Sequence, residues 1–230
     1  MSAPSPDPAP HAALNPDAKT YQAFLFDMDG TLITSTAAAE RVWTRWAQRH
    51  GLDVEALLAV MHGVRAVDTI RRQNLPDIDL DAEVAWVERG EIEDVEGVAP
   101  INGAVDFVRR MPPERWAVVT SASVPLARAR LAAAGVTPPA VLITAEDVEH
   151  GKPDPAGYLK AAARLGFDIA DCLVFEDAEA GVRAGEAAGA DVVVVTAAHQ
   201  HPLETRHPTL ADYGQARLEI GCDGALRLSL

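Results

Sequence analysis

Short apolar runs alternate along the chain with stretches of helical periodicity. Five runs rich in valine, isoleucine, leucine or aromatic residues lie at 23–26, 116–120, 140–144, 172–175 and 192–195. The segments with helical periodicity between them are 103–111, 124–134, 155–165 and 178–188. Continuous apolar runs are typical of strands covered on both faces, and strand alternating with helix predicts a parallel sheet. The expected fold class is α/β, with a Rossmann-like parallel sheet core.

Residues 36–100 interrupt this alternation. They contain no valine-rich run, only helical periodicity at 37–50, 54–61, 67–73 and 80–93. We interpret them as an inserted helical cap domain over the end of the first strand, with hinges at 34–36 and 100–103. The core domain then comprises residues 21–35 and 101–220. Residues 1–20, rich in proline and alanine, are expected to form a disordered tail.

Composition excludes several classes of partner. The chain has 20 Lys and Arg against 34 Asp and Glu, a net charge of -14, which argues against nucleic acid and anionic membranes as partners. No apolar run approaches the length needed to span a membrane, and the start lacks the charged and apolar regions of a secretory signal. Cys172 and Cys222 form no pattern, which fits a reducing cytoplasm. We expect a cytoplasmic protein.

Two carboxylates follow the first apolar run. Asp27 and Asp29 lie directly after it, and Gly30 allows the chain to turn there. Carboxylates so close together repel each other unless a cation or an electrophile lies between them. The pattern indicates a site where one Asp attacks, the other moves protons, and a metal holds both.

The other apolar runs also end in polar residues. The second leads to a hydroxyl-rich turn with Ser121 and Ala122, where a hydroxyl and free backbone N–H groups can bind an anion. The third leads to Lys152 between Gly151 and Pro153, and the fourth ends in the pair Glu176–Asp177. Because the carboxyl ends of parallel strands meet at one edge, we expect these groups in one site. Carboxylates, a hydroxyl and a lysine together indicate Mg²⁺ and phosphate.

This ordered set resembles the haloacid-dehalogenase superfamily of phosphatases over residues 21–196. The inserted module is similar to that superfamily's small helical cap. The dehalogenase branch lacks the second motif-one Asp, so Asp29 argues against halide chemistry. Five segments resemble more narrowly the subgroup that hydrolyses phosphosugars and phosphopolyols, including glycerol phosphate. They are His62-Gly63, 117–121, 144–148, 151–153 and 175–178.

The resemblance implies roles for the core residues. Asp27 is expected to be the nucleophile that forms an aspartyl-phosphate. Asp29 is expected to protonate the leaving alcohol and then to take a proton from the attacking water. Ser121 and the Ala122 N–H are expected to hold the phosphoryl oxygens, and Lys152 to neutralise charge on Asp27 and phosphate.

The resemblance also implies a metal site and a substrate-facing cap. Mg²⁺ is expected on Asp27, Asp177 and the Asp29 carbonyl, with Glu176 either a ligand or a neighbour of the ligands. In the cap, His62 and Arg65 follow a helix. They either face the substrate or form a cation pair at the helix C-terminus, which the helix dipole favours.

The expected function is therefore Mg²⁺-dependent hydrolysis of small phosphorylated sugars or polyols by a monomer or weak homodimer. One alternative is a phosphoryl transferase like β-phosphoglucomutase, which passes the phosphoryl group back to a sugar. The other is a non-catalytic phosphometabolite-binding protein. Loss of Asp27, Asp29 or Lys152 would be its signature, and all three are present.

Two further sets of residues have simpler interpretations. Trp43, Trp46 and Trp86 fall at helical positions and are expected in the core of the cap rather than in a substrate platform.

A second set resembles a metal cluster but lacks helical ligand spacing, so we do not expect zinc there. It consists of His199, Gln200, His201 and His207.

Overall fold

The computed structural model describes residues 19–199 and 205–230. The strands are β1 (Ala23–Phe26), β2 (Ile33–Thr34), β3 (Ala99–Pro100), β4 (Trp116–Val119), β5 (Val141–Ile143), β6 (Cys172–Glu176), β7 (Asp191–Val195), β8 (Thr209–Leu210), β9 (Arg217–Ile220) and β10 (Leu226–Ser229). The α-helices are α1 (Thr36–Arg49), α2 (Val54–Met61), α3 (Ala66–Arg72), α4 (Leu80–Glu93), α5 (Ala104–Arg109), α6 (Val124–Ala133), α7 (Ala156–Leu165) and α8 (Glu179–Ala188). None of the helices within these ranges is long and apolar enough to cross a membrane.

The main sheet has six parallel strands in the order β5-β4-β1-β6-β7-β8, with β1 between β4 and β6. Alternate residues of β1 face opposite sides. Phe24 and Phe26 join one buried cluster with Phe107 of α5, whereas Leu25 joins another with Tyr158 of α7. Burial on both faces explains why the strands read as continuous apolar runs. The α/β fold class predicted from the sequence is confirmed.

Helices α1–α4 pack around an apolar cluster of their own. Trp43 and Trp46 are buried in that cluster, and Trp86 packs against it partly buried, as expected for cap-core residues. Next to the predicted hinges, β2 pairs antiparallel with β3, so that Ile33 lies opposite Pro100. The domain boundaries themselves stay predictions, and residues 1–18 of the predicted tail lie outside the described residues.

The hairpin of β9 and β10 was not predicted. Leu226 pairs with Tyr21 just before β1, through two backbone hydrogen bonds of 2.7 Å. Leu226 and Leu228 are fully buried in the same cluster as Phe24. The chain therefore adds to the core beyond residue 220, where the predicted core domain ends.

Candidate active site

The turn after β1 brings the ends of two neighbouring strands together. Asp27 follows β1 directly, and its N–H donates to the Phe175 carbonyl of β6 at 2.9 Å. Gly30 has φ +85°, and a Cβ there would lie 2.0 Å from Oδ2 of Asp177. Only glycine combines this backbone angle with so close an approach. Gly30 thus allows Asp177 to lie against the turn that carries Asp27 and Asp29.

Lys152 connects Asp27 to Glu176. Its Nζ lies 2.5 Å from Oδ1 of Asp27, 2.5 Å from Oε1 of Glu176 and 3.1 Å from the Val119 carbonyl. Burial by itself lowers the pKa of Lys152, but the charges of Asp27 and Glu176 hold it above its usual value. Lys152 is therefore a fixed positive charge beside Asp27.

Glu176 is fully buried, and protein donors reach both of its carboxylate oxygens. Oε1 accepts from Lys152 and from the Tyr158 hydroxyl at 2.7 Å. Oε2 accepts from the backbone N–H groups of Asp177 at 3.0 Å and Ala178 at 3.2 Å. These bonds fix the carboxylate of Glu176, which in turn holds the ammonium group of Lys152 in place. Its predicted direct metal contact stays a prediction.

The carboxylate cluster fits a divalent cation. Oxygens of Asp27, Glu176 and Asp177 lie within 4.8 Å of one another. Burial raises the pKa of the Asp27 carboxyl well above its usual value, although Lys152 opposes the rise. Burial and repulsion from Asp27 and Glu176 also raise the pKa of Asp177. Mg²⁺ prefers hard oxygen donors such as these carboxylates. The raised pKa values also indicate that the cluster has too little positive charge nearby to stabilise its carboxylates.

The turn after β4 supplies the predicted anion-binding groups. The Ser121 hydroxyl donates to the Gly63 carbonyl of the cap at 2.8 Å, and the Ala122 N–H donates to Oγ1 of Thr120 at 3.1 Å. Ser121 and Ala122 lie beside the same cavity as Asp27. Both donors would have to exchange their present partners to bind phosphate, and their role stays a prediction.

Asp29 lies in a polar network that the sequence did not predict. Its Oδ1 accepts from Oγ of Ser35 at 2.5 Å and from Nη1 of Arg130 at 3.0 Å. Nη2 of Arg130 donates to Oε1 of Glu91 at 3.0 Å. Glu91 belongs to α4 of the cap and Arg130 to α6 of the core. Arg130 therefore joins the predicted acid–base residue to the cap.

A cavity of about 170 Å³ separates the cap from the strand ends. Asp27, Asp29 and Asp177 line its core side, and His62 and Arg65 line its cap side. Arg65 is bonded to Asp68 at 2.7 Å and to the carbonyls of Val148 and Glu149 at 3.2 and 3.0 Å. Nε2 of His62 lies 3.6 Å from Oε1 of Glu40. The structure brings both cap residues to the cavity, while their contact with substrate stays a prediction.

The histidine-containing segment is only partly described, because Gln200 and His201 lie outside the described residues. Nε2 of His199 lies 2.8 Å from the Asp177 carbonyl, and Nε2 of His207 lies 2.7 Å from Oε1 of Glu186. His199 therefore supports the Asp177 turn, and His207 contacts α8 instead.

A parallel α/β core with acidic strand ends beneath a helical cap defines a class of hydrolases. The chain belongs to the haloacid dehalogenase-like hydrolase family, whose model matches residues 21–189. The family resemblance inferred from the sequence is thus confirmed, and the protein is an enzyme of the hydrolase class.

Within this family, the chain is similar to proteins named as phosphatases of polyol phosphates. The chain is 43% identical over 185 residues to hexitol phosphatase A of Escherichia coli, covering 79% of this chain and 86% of that protein. It is 37% identical over 184 residues to glycerol-1-phosphate phosphohydrolase 1 of Saccharomyces cerevisiae, covering 74% and 73%. The fold is also similar to a β-phosphoglucomutase from Clostridium difficile. That structure has a TM-score of 0.69 at 16% identity, covering 85% of this chain and 92% of that one.

Proposed function

We propose that this protein is a Mg²⁺-dependent phosphomonoester hydrolase that acts on small phosphorylated sugars or polyols through an aspartyl-phosphate on Asp27. The observation that carries the proposal is the contact between Asp27 and Lys152 at the strand ends, beneath a small cavity covered by the cap. The names of relatives that are hexitol and glycerol-1-phosphate phosphatases support the substrate class.

The chemistry has two steps. A carboxylate oxygen of Asp27 attacks phosphorus, the bond from phosphorus to the alcohol oxygen breaks, and Asp29 gives that oxygen its proton. Water then attacks the phosphorus of the aspartyl-phosphate. Asp29 takes a proton from this water, and Asp27 leaves as a free carboxylate. Asp29 thereby returns to its protonated form, ready for the next substrate.

The carboxylate cluster holds the cation in this proposal. Asp27, Asp177 and the Asp29 carbonyl would bind Mg²⁺, and Glu176 would bind it directly or orient Lys152. The ion would supply positive charge to the phosphoryl oxygens and to Asp27. The pKa values of Asp27 and Asp177 are both raised, which means that the protein alone supplies too little positive charge to these carboxylates. This supports the proposal that a cation binds there.

The remaining core groups bind the phosphoryl group. Lys152 is a buried positive charge within reach of Asp27, and it would stabilise negative charge that develops on phosphoryl oxygens. The Ser121 hydroxyl and the Ala122 N–H would donate to those oxygens after breaking their present hydrogen bonds to Gly63 and Thr120. The Ser121–Gly63 bond also links phosphate binding to the position of the cap, because it joins core and cap.

The cap excludes water and selects the alcohol in this proposal. His62 and Arg65 line the cavity on the cap side, where the leaving group would lie. A small phosphorylated metabolite is the partner, and the net charge of -14 supports neither nucleic acid nor an anionic membrane. A cytoplasmic location agrees with the free cysteines Cys172 and Cys222.

The test is phosphate release with Mg²⁺ across a panel of hexitol, hexose, glycerol and aryl phosphates. We expect the polyol or sugar phosphates to have the highest kcat/KM, and the Asp27→Asn variant to release no phosphate from any of them. Conversion of a hexose phosphate into an isomer without phosphate release would instead establish the phosphoryl-transferase alternative. Binding without either reaction would establish the non-catalytic alternative.

A further inference from the structure

The cap side of the cavity carries two carboxylates from one helix. Glu88 and Glu91 of α4 line the cavity from the cap. Glu88 is hydrogen-bonded to the Ser123 hydroxyl through Oε1, and Glu91 contacts Arg130 through Oε1. Glu91 is thus paired with a cation, whereas Glu88 bonds to an uncharged hydroxyl.

The arginines that line the cavity already have acidic partners. Arg65 is paired with Asp68 at 2.7 Å. Arg130 contacts two carboxylates, Asp29 and Glu91, each at 3.0 Å. Within residues 19–199 and 205–230, no arginine or lysine that lines the cavity lacks an acidic partner. A second anionic group on the substrate would meet Glu88 without a cation free to neutralise it.

Arg130 has N–H groups left for a neutral ligand. Its side chain is 7% exposed, and its Nε is buried without an acceptor among the described residues. A guanidinium has five N–H donors, and Asp29 and Glu91 account for only part of them. Because Nε is buried, a ligand would bond to the remaining Nη N–H groups. Since Arg130 lines the cavity, hydroxyl groups of a substrate are suitable acceptors.

We propose that the cavity selects an uncharged, polyhydroxylated leaving group and rejects substrates with a second anion. Arg130 donates to a substrate hydroxyl, Glu88 accepts from one, and Glu88 repels a carboxylate or second phosphate at the same place. This inference rests on the proposed function. It also disfavours the phosphoryl-transferase alternative, because passing a phosphoryl group to a sugar phosphate produces a bisphosphate.

The test uses two matched pairs of substrates. Glycerol 1-phosphate and 3-phosphoglycerate share three carbons, and sorbitol 6-phosphate and 6-phosphogluconate share six, with hydroxymethyl against carboxylate at the far end. We expect the wild-type kcat/KM to favour the alcohol by about a hundredfold or more in the better pair. Glu88→Gln should reduce that ratio about tenfold, because it keeps the polar contact and removes the charge.

Glu93→Gln is the matched control. It makes the same change on the exposed side of α4 and should leave the ratio as in wild type. A wild-type ratio within about threefold of one, or an active Glu88→Gln variant with an unchanged ratio, would overturn the inference. The wild-type ratio tests the inference by itself, even if the Glu88→Gln variant fails to fold. Failure of the proposed function is distinguishable, since then no substrate, including an aryl phosphate, would release phosphate.

Discussion

The ammonium group of Lys152 lies 2.5 Å from Oδ1 of Asp27, and both side chains are buried. The same ammonium group is 2.5 Å from Oε1 of Glu176, which holds it by a second ion pair. Because two carboxylates share one cation, Lys152 is held in place before any substrate arrives. A charge that is already oriented stabilises a transition state without the cost of reorganisation.

Lys152→Ala should lower kcat by about 10²–10³-fold, the loss typical when one preorganised stabilising group is removed. Lys152→Arg should rescue little, because the planar guanidinium cannot replace a compact ammonium between two carboxylates. Steady-state rates with an aryl phosphate measure this, and circular dichroism checks folding. A folded Lys152→Ala variant with more than about a tenth of the wild-type kcat would rule out this role.

Asp177→Ala should mainly weaken the binding of Mg²⁺. The substitution removes a carboxylate from the cluster with Asp27 and Glu176, so fewer charges face the cation. We expect the Mg²⁺ concentration for half-maximal activity to rise about tenfold or more, with partial rescue by excess Mg²⁺. Exposed Asp171→Asn, at the other end of β6, is the control. A titration identical to that of wild type would exclude Asp177 as a ligand.

Five of the six strands of the main sheet were predictable, because each carries its own apolar run, whereas the two-residue strand β8 was not predicted. The run at Ala23–Phe26 coincides with β1, and α2 and α4 begin and end where the periodicity placed them. Local patterns suffice here, because a strand buried on both faces must be apolar throughout. The strand ends then follow from topology, since parallel neighbours deliver their carboxyl ends to one edge.

The link from Arg130 to Asp29 and Glu91 was not predictable. Its partners are 101 and 39 residues away, and nothing in the local sequence of α6 distinguishes Arg130 from Arg128. The hairpin of β9 and β10 was missed for a similar reason. Its strands alternate in burial, and Leu226 becomes part of the core only through its pairing with Tyr21. Such contacts depend on how the whole chain packs.

Arg65→Ala distinguishes a substrate contact from support of the cap. Arg65 donates to the Val148 and Glu149 carbonyls of the core, so its loss should loosen the cap over the cavity. We expect kcat/KM to fall about tenfold for both the preferred polyol phosphate and an aryl phosphate, the cost of about one charge-assisted hydrogen bond. Arg71→Ala serves as the control, because Arg71 is an exposed arginine of α3, the helix that begins directly after Arg65. A loss confined to the polyol phosphate would identify a direct substrate contact instead.

Glu83→Gln should destabilise the cap. Burial opposes ionisation of Glu83, but hydrogen bonds from Trp46 and His50 and the charge of Arg49 hold its pKa below its usual value. Removing the charge should reduce the free energy of unfolding by about 1–3 kcal/mol at neutral pH. Urea unfolding followed by tryptophan fluorescence measures this, with exposed Glu93→Gln as the control.

The pH dependence of that difference has a definite sign. A carboxyl with a lowered folded-state pKa contributes stability above its unfolded-state pKa and loses it as the pH falls through the folded-state pKa. The difference between wild type and Glu83→Gln should therefore be largest near neutral pH and should shrink in acid. A difference that stays constant or grows as the pH falls would mean that the charge of Glu83 does not stabilise the cap.

Trapping the covalent intermediate tests the central claim most directly. The enzyme is mixed with its preferred substrate and Mg²⁺, quenched in acid within one turnover, and reduced with borohydride, which converts an acyl phosphate into an alcohol. Peptide mass spectrometry then locates the reduced residue. We predict reduction at Asp27 alone in wild type and none in Asp27→Asn. Rapid phosphate release with no reduced residue, or reduction at another carboxylate, would contradict the assignment of Asp27 as the nucleophile.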